Sequence, residues 1–423
     1  MIAFAPAPPP PLDAPMNAPQ PVPAFNPLDP AFIRDPYPTY RMLREKSPIW
    51  RSPLGPYVLT RYRDIDAVTR DRRFVHDFEG KISDPGPRRA LMDQPVFQSL
   101  RRSMLVQDPP DHTRMRNLVV RAFTARRVEE MRPRIEALVH ALIDAVLPRG
   151  RMDVIADLSH KLPVIVICDM LGVPEEDRAQ FLGNFRISGR ALEPVPLSSA
   201  ELEEANASTL KTRTYFLCLF ERRAKEPGDD LISALLAVRD EHDGRLSQDE
   251  LTSNINLLFA AGHETTANLI GNGLLALHRQ PDQWEMLTRD PSLAANATEE
   301  LLRYDSSVQL TARKAAEDIE IGDDKVVIKR GEGVICLLGA GNRDPARYDD
   351  PERLDVTRQN VRPLSFGGGI HHCLGAQLAR LEGEITFRAL AERLPKLALE
   401  NIDNPQWRPT LTLRRLAALP AKW

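Results

Sequence analysis

The sequence predicts a mainly α-helical fold with a small β-sheet region, and three patterns carry that expectation. From Pro110 onward, apolar residues recur at helical spacing through most of the chain. Ser247-Gln248-Asp249-Glu250 has the form of a capping box, with Ser247 as N-cap and Glu250 as its reciprocal partner. It opens a helix of about 30 residues that ends near Gln280 and is long enough to cross a domain. Between Lys314 and Leu338, Ile319-Glu320-Ile321, Val326-Val327-Ile328 and Val334-Ile335 alternate with Gly and Asp turn signals, which predicts short strands.

Taken in order, residues 1–25 are too rich in proline for a helical anchor or a signal-peptide core, and read as a disordered or polyproline-II leader. Residues 26–423 are expected to form one domain. Tyr37 to Glu45 reads as a short helix. Ile49-Trp50-Arg51 and Tyr57-Val58-Leu59-Thr60, around Ser52-Pro53-Leu54-Gly55-Pro56, read as a hairpin. Candidate helices follow at 110–122, 127–147, 160–171, 174–190, 201–226 and 229–240, and another begins at Ala376.

A formal net charge of −3 argues against nucleic acid as the principal partner, and 42% hydrophobic residues support a sizeable core. Cys168, Cys218, Cys336 and Cys373 show no paired pattern, as expected of a reducing, cytoplasmic compartment. No stretch approaches the roughly 20 continuous apolar residues of a membrane span, so no membrane anchor is expected.

The chemistry concentrates in Phe366-Gly367-Gly368-Gly369-Ile370-His371-His372-Cys373-Leu374-Gly375, where one cysteine stands at the exit of a glycine-rich loop and the start of a helix. Helix N-terminal amides carry partial positive charge that stabilises an anion, so Cys373 is expected to be a thiolate. Gly367 and Gly369 allow turns and close approach, so a large flat cofactor could lie against this backbone. By itself the pattern means a ligand or a nucleophile. A structural zinc on His371, His372 and Cys373 lacks a partner motif of the required spacing elsewhere. A catalytic-cysteine hydrolase stays open at this point, but leaves the other motifs without a role.

Within the long helix, Ala261-Gly262-His263-Glu264-Thr265-Thr266 sets an acid and a hydroxyl beside a glycine in an otherwise apolar segment. Gly262 costs about 1 kcal/mol relative to alanine in a helix interior. The Thr265 hydroxyl can bond a carbonyl one turn back and bend the helix locally, opening a groove. Glu300-Leu301-Leu302-Arg303 places acid and base on one helix face. An exposed pair of this kind is worth about 0 to 1 kcal/mol. His112 and Arg116 likewise stand one turn apart.

The spacing F-G-x-G-x-H-x-C-x-G resembles the haem-binding signature of the cytochrome P450 family, and the other motifs fall in family order over almost the whole chain after the leader. The resemblance implies the cytochrome P450 fold, haem b as cofactor, and Cys373 as axial ligand of its iron within Phe366, Gly367, His371 and Gly375. It implies that Glu264 helps deliver protons while Thr265 orients dioxygen or its water network, with Ala261 and Gly262 against the haem. His112, Arg116, Arg313 and His371 become contacts of the haem propionates; Glu300, Arg303 and Arg353 become a buried structural set.

The implied activity is a soluble, bacterial-type monooxygenase that inserts one oxygen atom from O2 into a small apolar organic substrate. Its pocket would include Leu257, Ala260, Ala261 and Val308, with loops around 75–107 and 185–203. Terpenoid, fatty-acid-like, macrolide-like and aromatic substrates all fit such a lining. Electrons are expected from a separate ferredoxin and its reductase, since no flavin domain is fused. Arg114 and Arg121, with Arg126 and Arg127 following, form the expected docking strip. A peroxygenase or isomerase on the same scaffold would not need Glu264 and Thr265, and a haem sensor or carrier without turnover would need neither those nor a pocket.

Overall fold

The computed structural model describes residues 27–82, 86–181, 188–241 and 246–423; the proline-rich leader lies outside the described residues. The long helix spans Gln248–Arg279 and starts as its capping box requires. The Ser247 hydroxyl accepts from the Glu250 amide at 3.2 Å, and the Glu250 carboxylate accepts from the Ser247 amide at 2.9 Å. From Thr266 to Leu277 every residue is buried, so this half runs through the core rather than along a surface. Around it pack Lys161–Leu171, Ser199–Lys225, Ala294–Tyr304 and Ala376–Arg393. The crossing with the last of these is close because Gly273 has no side chain. A β-carbon there would lie 2.7 Å from the Phe387 ring.

The β-region is a five-stranded sheet in the order Ile49–Arg51, Tyr57–Leu59, Gly333–Leu337, Leu310–Ala315, Phe74–Val75. The expected hairpin occupies one edge, with Ile49 opposite Leu59. Leu310–Ala315, most of which the alternation does not announce, lies inside the sheet, antiparallel to Gly333–Leu337, and carries Arg313 into the interior. Ile319–Ile321 and Val326–Ile328 pair only with each other. Further short strands from the C-terminal segment, Gln406–Trp407 with Leu416–Ala418 and Pro420–Lys422 with Arg151–Asp153, escape the sequence reading.

Two expected helices differ. The segment 127–147 divides at Met131 into Ala125–Glu130 and Arg132–Val146, because Pro133 has no N–H to continue a preceding helix but fits the first turn of a new one. The segment 174–190 holds 3-10 turns at Glu175–Gln180 and Ser188–Leu192 instead of an α-helix, with 182–187 outside the described residues.

The cap of the long helix gives a direct test. Ser247→Ala removes one acceptor for an otherwise unpaired helix amide and should lower stability by about 1 kcal/mol, read from the urea midpoint. An unshifted midpoint would mean that the capping box contributes nothing net.

Candidate functional site

The cysteine loop is shaped by its glycines. Gly367 and Gly369 both adopt positive φ, at 65° and 62°. A β-carbon on Gly369 would stand 2.5 Å from the Thr69 carbonyl oxygen, so only glycine lets the loop lie against the helix Tyr62–Arg70. The Cys373 amide donates to the Phe366 carbonyl at 2.9 Å and closes the loop. Buried Phe366 lies beneath the Arg380 guanidinium, 4.5 Å from its ring centre.

Cys373 precedes the helix Ala376–Arg393 and its N-cap Gly375. The thiol is accessible yet closely surrounded by protein, and this desolvation pushes its pKa up; the Gly375 amide, Arg116 and Arg380 pull it down but do not prevail. The protein alone therefore does not produce the expected thiolate. A bound metal ion would, since coordination deprotonates a thiol outright.

Beside the loop lies a cluster rich in nitrogen donors. His112, on the helix Asp111–Ala122, packs its ring 4.2 Å from that of His371, and neither of its ring nitrogens has a partner. Burial, reinforced by Arg116, pushes His112 down to about 4; burial, then His112, Arg313 and Arg116, pushes His371 down to about 2. Both are neutral at physiological pH. Arg313 is buried and donates to the Thr311 hydroxyl at 3.0 Å and the Ala312 carbonyl at 2.7 Å; among the described residues it has no ion-pair partner. Arg116 donates to the His372 carbonyl at 2.6 Å. A third imidazole, His76, joins this cluster, and nothing in the local sequence marks it. Unpartnered buried donors beside a glycine-lined thiol suit the two carboxylates and flat ring of haem b.

In the long helix the Thr265 hydroxyl donates to the Ala261 carbonyl at 2.9 Å, as its position predicts. Glu264 forms an ion pair with Arg415 from the C-terminal segment. Burial raises the pKa of Glu264, and Arg415 opposes that rise. His263 is a packing residue whose Nδ1 bonds the Phe259 carbonyl at 2.9 Å. Of the expected pocket residues, Ala261 is exposed, and Leu257, Ala260 and Val308 are half-buried. Val308 is bridged to Leu413, which brings the C-terminal segment to the same place.

Glu300 and Arg303 are both 0% exposed and form a two-pronged pair, at 2.7 and 2.6 Å. The third cation is not the expected Arg353, whose side chain is exposed and which offers only its carbonyl, 3.1 Å from Arg303. Arg358 takes the role instead, 3.1 Å from Glu300. The chain reverses after Arg353, and the same guanidinium donates to the carbonyls of Asp349, Asp350 and Arg353, which fixes Arg358 rather than Arg353 toward the acid. Arg303 also holds the Asn342 carbonyl at 3.0 Å. The Asn342 side chain in turn binds the Leu364 amide at 2.7 Å and the Ser365 hydroxyl at 3.0 Å, where the cysteine loop begins.

The expected docking strip changes character as well. Arg114 is tied to Asp111 and Glu250, Arg126 to Glu130 and Arg127 to Asp229, so much of its charge is neutralised.

A family model described as Cytochrome P450 matches residues 200–395. A putative cytochrome P450 133B2 of Xylella fastidiosa is 41% identical over 394 residues, which cover 93% of this chain and 97% of that protein. The 6-deoxyerythronolide B hydroxylase of Saccharopolyspora erythraea is 41% identical over 404 residues, again 93% of this chain and 97% of the relative. Among solved structures, P450BioI in complex with acyl carrier protein ligated to hexadec-9Z-enoic acid matches with a TM-score of 0.85 and 37% identity, over 93% of this chain and 99% of that one.

The exchange of Arg353 for Arg358 is testable by denaturation of the loaded protein. Arg358→Ala strips a charge-assisted bond from a buried carboxylate and should cost about 1.5 to 3 kcal/mol. Arg353→Ala should leave the midpoint where it is. Equal losses in the two variants would reinstate Arg353.

Proposed function

Because this chain belongs to the cytochrome P450 family, a haem b monooxygenase family, we propose that Cys373 is its axial haem ligand and that Glu264 and Thr265 manage protons for oxygen insertion into a small apolar substrate. The observation that carries this reading is the cysteine loop itself: one accessible thiol on a glycine-shaped turn, beside a cluster of buried imidazole nitrogens without hydrogen-bond partners. Haem b, bound there, supplies the activation of dioxygen. One oxygen atom enters the substrate and the other leaves as water, which consumes two electrons and two protons.

The residues of the chain divide that work. His112, Arg116, Arg313 and His371 hold the propionates; Phe366, Gly367 and Gly375 shape the seat. Glu264 is the proton donor: burial raises the pKa of its carboxyl, and the ion pair with Arg415 opposes that rise. The Thr265 hydroxyl, its hydrogen committed to the Ala261 carbonyl, has lone pairs left to accept a proton-carrying water. Leu257, Ala260, Ala261 and Val308 provide apolar lining that excludes bulk water. Residues 26–423 act as one domain, supported by a core cluster that includes Met104 and Ala421.

Electrons come from a ferredoxin-type carrier and its reductase. Support lies in Arg116, which acts electrostatically on both His372 and Cys373 and has no acid partner among the described residues; Arg70 and Arg380 also act on His372 but are paired with Asp66 and Glu299. Among the described residues no helix is long and apolar enough to cross a membrane, and the four cysteines are free, which supports a cytoplasmic location. A zinc site is disfavoured by ligand geometry, since no three acids, histidines or cysteines among the described residues are grouped to hold a metal ion.

Thiolate ligation has a spectral signature. The ferrous carbon monoxide complex should show a strongly red-shifted Soret band that Cys373→His abolishes and that alanine at Cys168, Cys218 or Cys336 preserves. Persistence of the band in Cys373→His would falsify the assignment.

Proton delivery is tested by coupling. Thr265→Ala and Glu264→Gln should keep their haem but lose product formation, by about 10²- to 10⁴-fold if general acid–base assistance is at stake. Thr265→Ala should divert reducing equivalents to hydrogen peroxide, whereas Glu264→Gln should mainly slow oxygen-dependent turnover. Product and peroxide per electron, measured with bound substrate, decide; unchanged values in both variants would turn attention to a haem carrier or peroxygenase.

A further inference from the structure

We propose that His76 is an additional ligand of the haem propionates, positioned by Asp108. The inference rests on the haem b reading above and extends it to a residue outside every motif of the sequence.

His76 directly follows the edge strand Phe74–Val75, in which Phe74 pairs with Ala315 and Val75 with Lys314. Continuing that register by one residue sets His76 opposite Arg313. Its ring stands edge-on to His371, with centres 4.4 Å apart and planes at 79°. Arg313, His371 and His112 all act electrostatically on it. Its Nε2 is buried with no partner, as are both nitrogens of His112 and the Nε2 of His371. Buried nitrogens without partners are costly, and four on three touching rings is more than packing explains.

The surroundings narrow what could satisfy them. Arg313 has no ion-pair partner among the described residues, and the Asp108 carboxylate that acts on it is bonded to the His76 and Asp77 amides, so a ligand that accepts hydrogen bonds and carries negative charge fits here. A metal ion would stand close to the Arg313 guanidinium, and no three His, Cys, Asp or Glu side chains among the described residues are grouped to hold one. A group with two carboxylates at this edge of the cysteine loop meets the requirement.

The placement of His76 is enforced rather than incidental. The Asp108 carboxylate accepts the His76 amide through one oxygen and the Asp77 amide through the other, both at 2.9 Å. The Asp108 carbonyl accepts the His112 amide at 3.1 Å, so one residue holds the backbone at two of the three histidines. Asp77 then turns the chain away at a φ of 44°, and its carboxylate accepts the Ile82 amide at 3.0 Å and meets Lys314 at 3.4 Å. Such a turn is uncommon for a residue with a side chain and marks a position held by its surroundings.

The experiment follows haem transfer from the purified holoenzyme to excess apomyoglobin, with the haem midpoint potential as a second readout. His76→Ala should release haem about tenfold faster, the size of one hydrogen bond to a charged group. His76→Phe keeps ring volume without a donor and should release it equally fast, while His76→Gln, which restores an N–H, should approach wild type. Asp108→Ala should match His76→Ala, and the double variant should be no worse than either alone. Wild-type release from His76→Phe, with an unmoved potential, would make His76 a packing residue and overturn the proposal. Purified wild type that binds no haem would overturn the parent reading, a result distinct from haem-replete variants with unaltered release.

Discussion

The fully buried carboxylate of Glu300 is the constraint on which the rest of the structure depends. An ion removed from water must recover its lost solvation from neighbours, and removing one partner of such a set strands the other at a cost of several kcal/mol. Glu300 therefore gathers Arg303 and Arg358, and Arg303 spends its remaining N–H groups on the carbonyls of Asn342, Pro351 and Arg353. Through the Asn342 side chain the same requirement reaches Leu364 and Ser365, and the Ser365 hydroxyl returns to the Leu302 carbonyl at 2.5 Å. One unmet charge on a helix thus fixes where the cysteine loop departs.

The site inverts that logic. In the scaffold, every buried charge around Glu300 has its complement; beside the cysteine, Arg313 and three imidazoles have none among the described residues. Buried polar groups are ordinarily paired, so a local surplus of donors is a template of the group that belongs there. The neutrality of the histidines has the same source, because burial and neighbouring guanidinium groups make a second positive charge expensive. Neutral imidazoles still donate one N–H each, which suits carboxylates without piling charge on Arg313.

Glu264 stands between these two cases. It has a cation, Arg415, yet burial still biases its carboxyl toward the protonated form. Desolvation and the neighbouring guanidinium thus pull the same carboxyl in opposite directions. The opposing cation comes from the C-terminal segment, whose neighbour Leu413 is bridged to Val308, so Glu264 and that expected pocket residue share one structural support.

The sequence by itself determined what short-range periodicity can encode. The capping box at Ser247, the Thr265 hydroxyl bond to Ala261, the Glu300–Arg303 pair and the glycine-shaped loop ending in Cys373 all depend on residues within a few positions of one another, where backbone geometry fixes the outcome. Only the tertiary structure decided that Arg358 rather than Arg353 meets Glu300, that Arg415 meets Glu264, that Arg114 is engaged by Glu250, and that His76 joins His371. It also decided that burial outweighs the local amide and guanidinium groups at Cys373 and raises the pKa of its thiol. These outcomes depend on where loops reverse, on strand register and on how deeply a group is buried, and no repeating spacing in the chain records any of them.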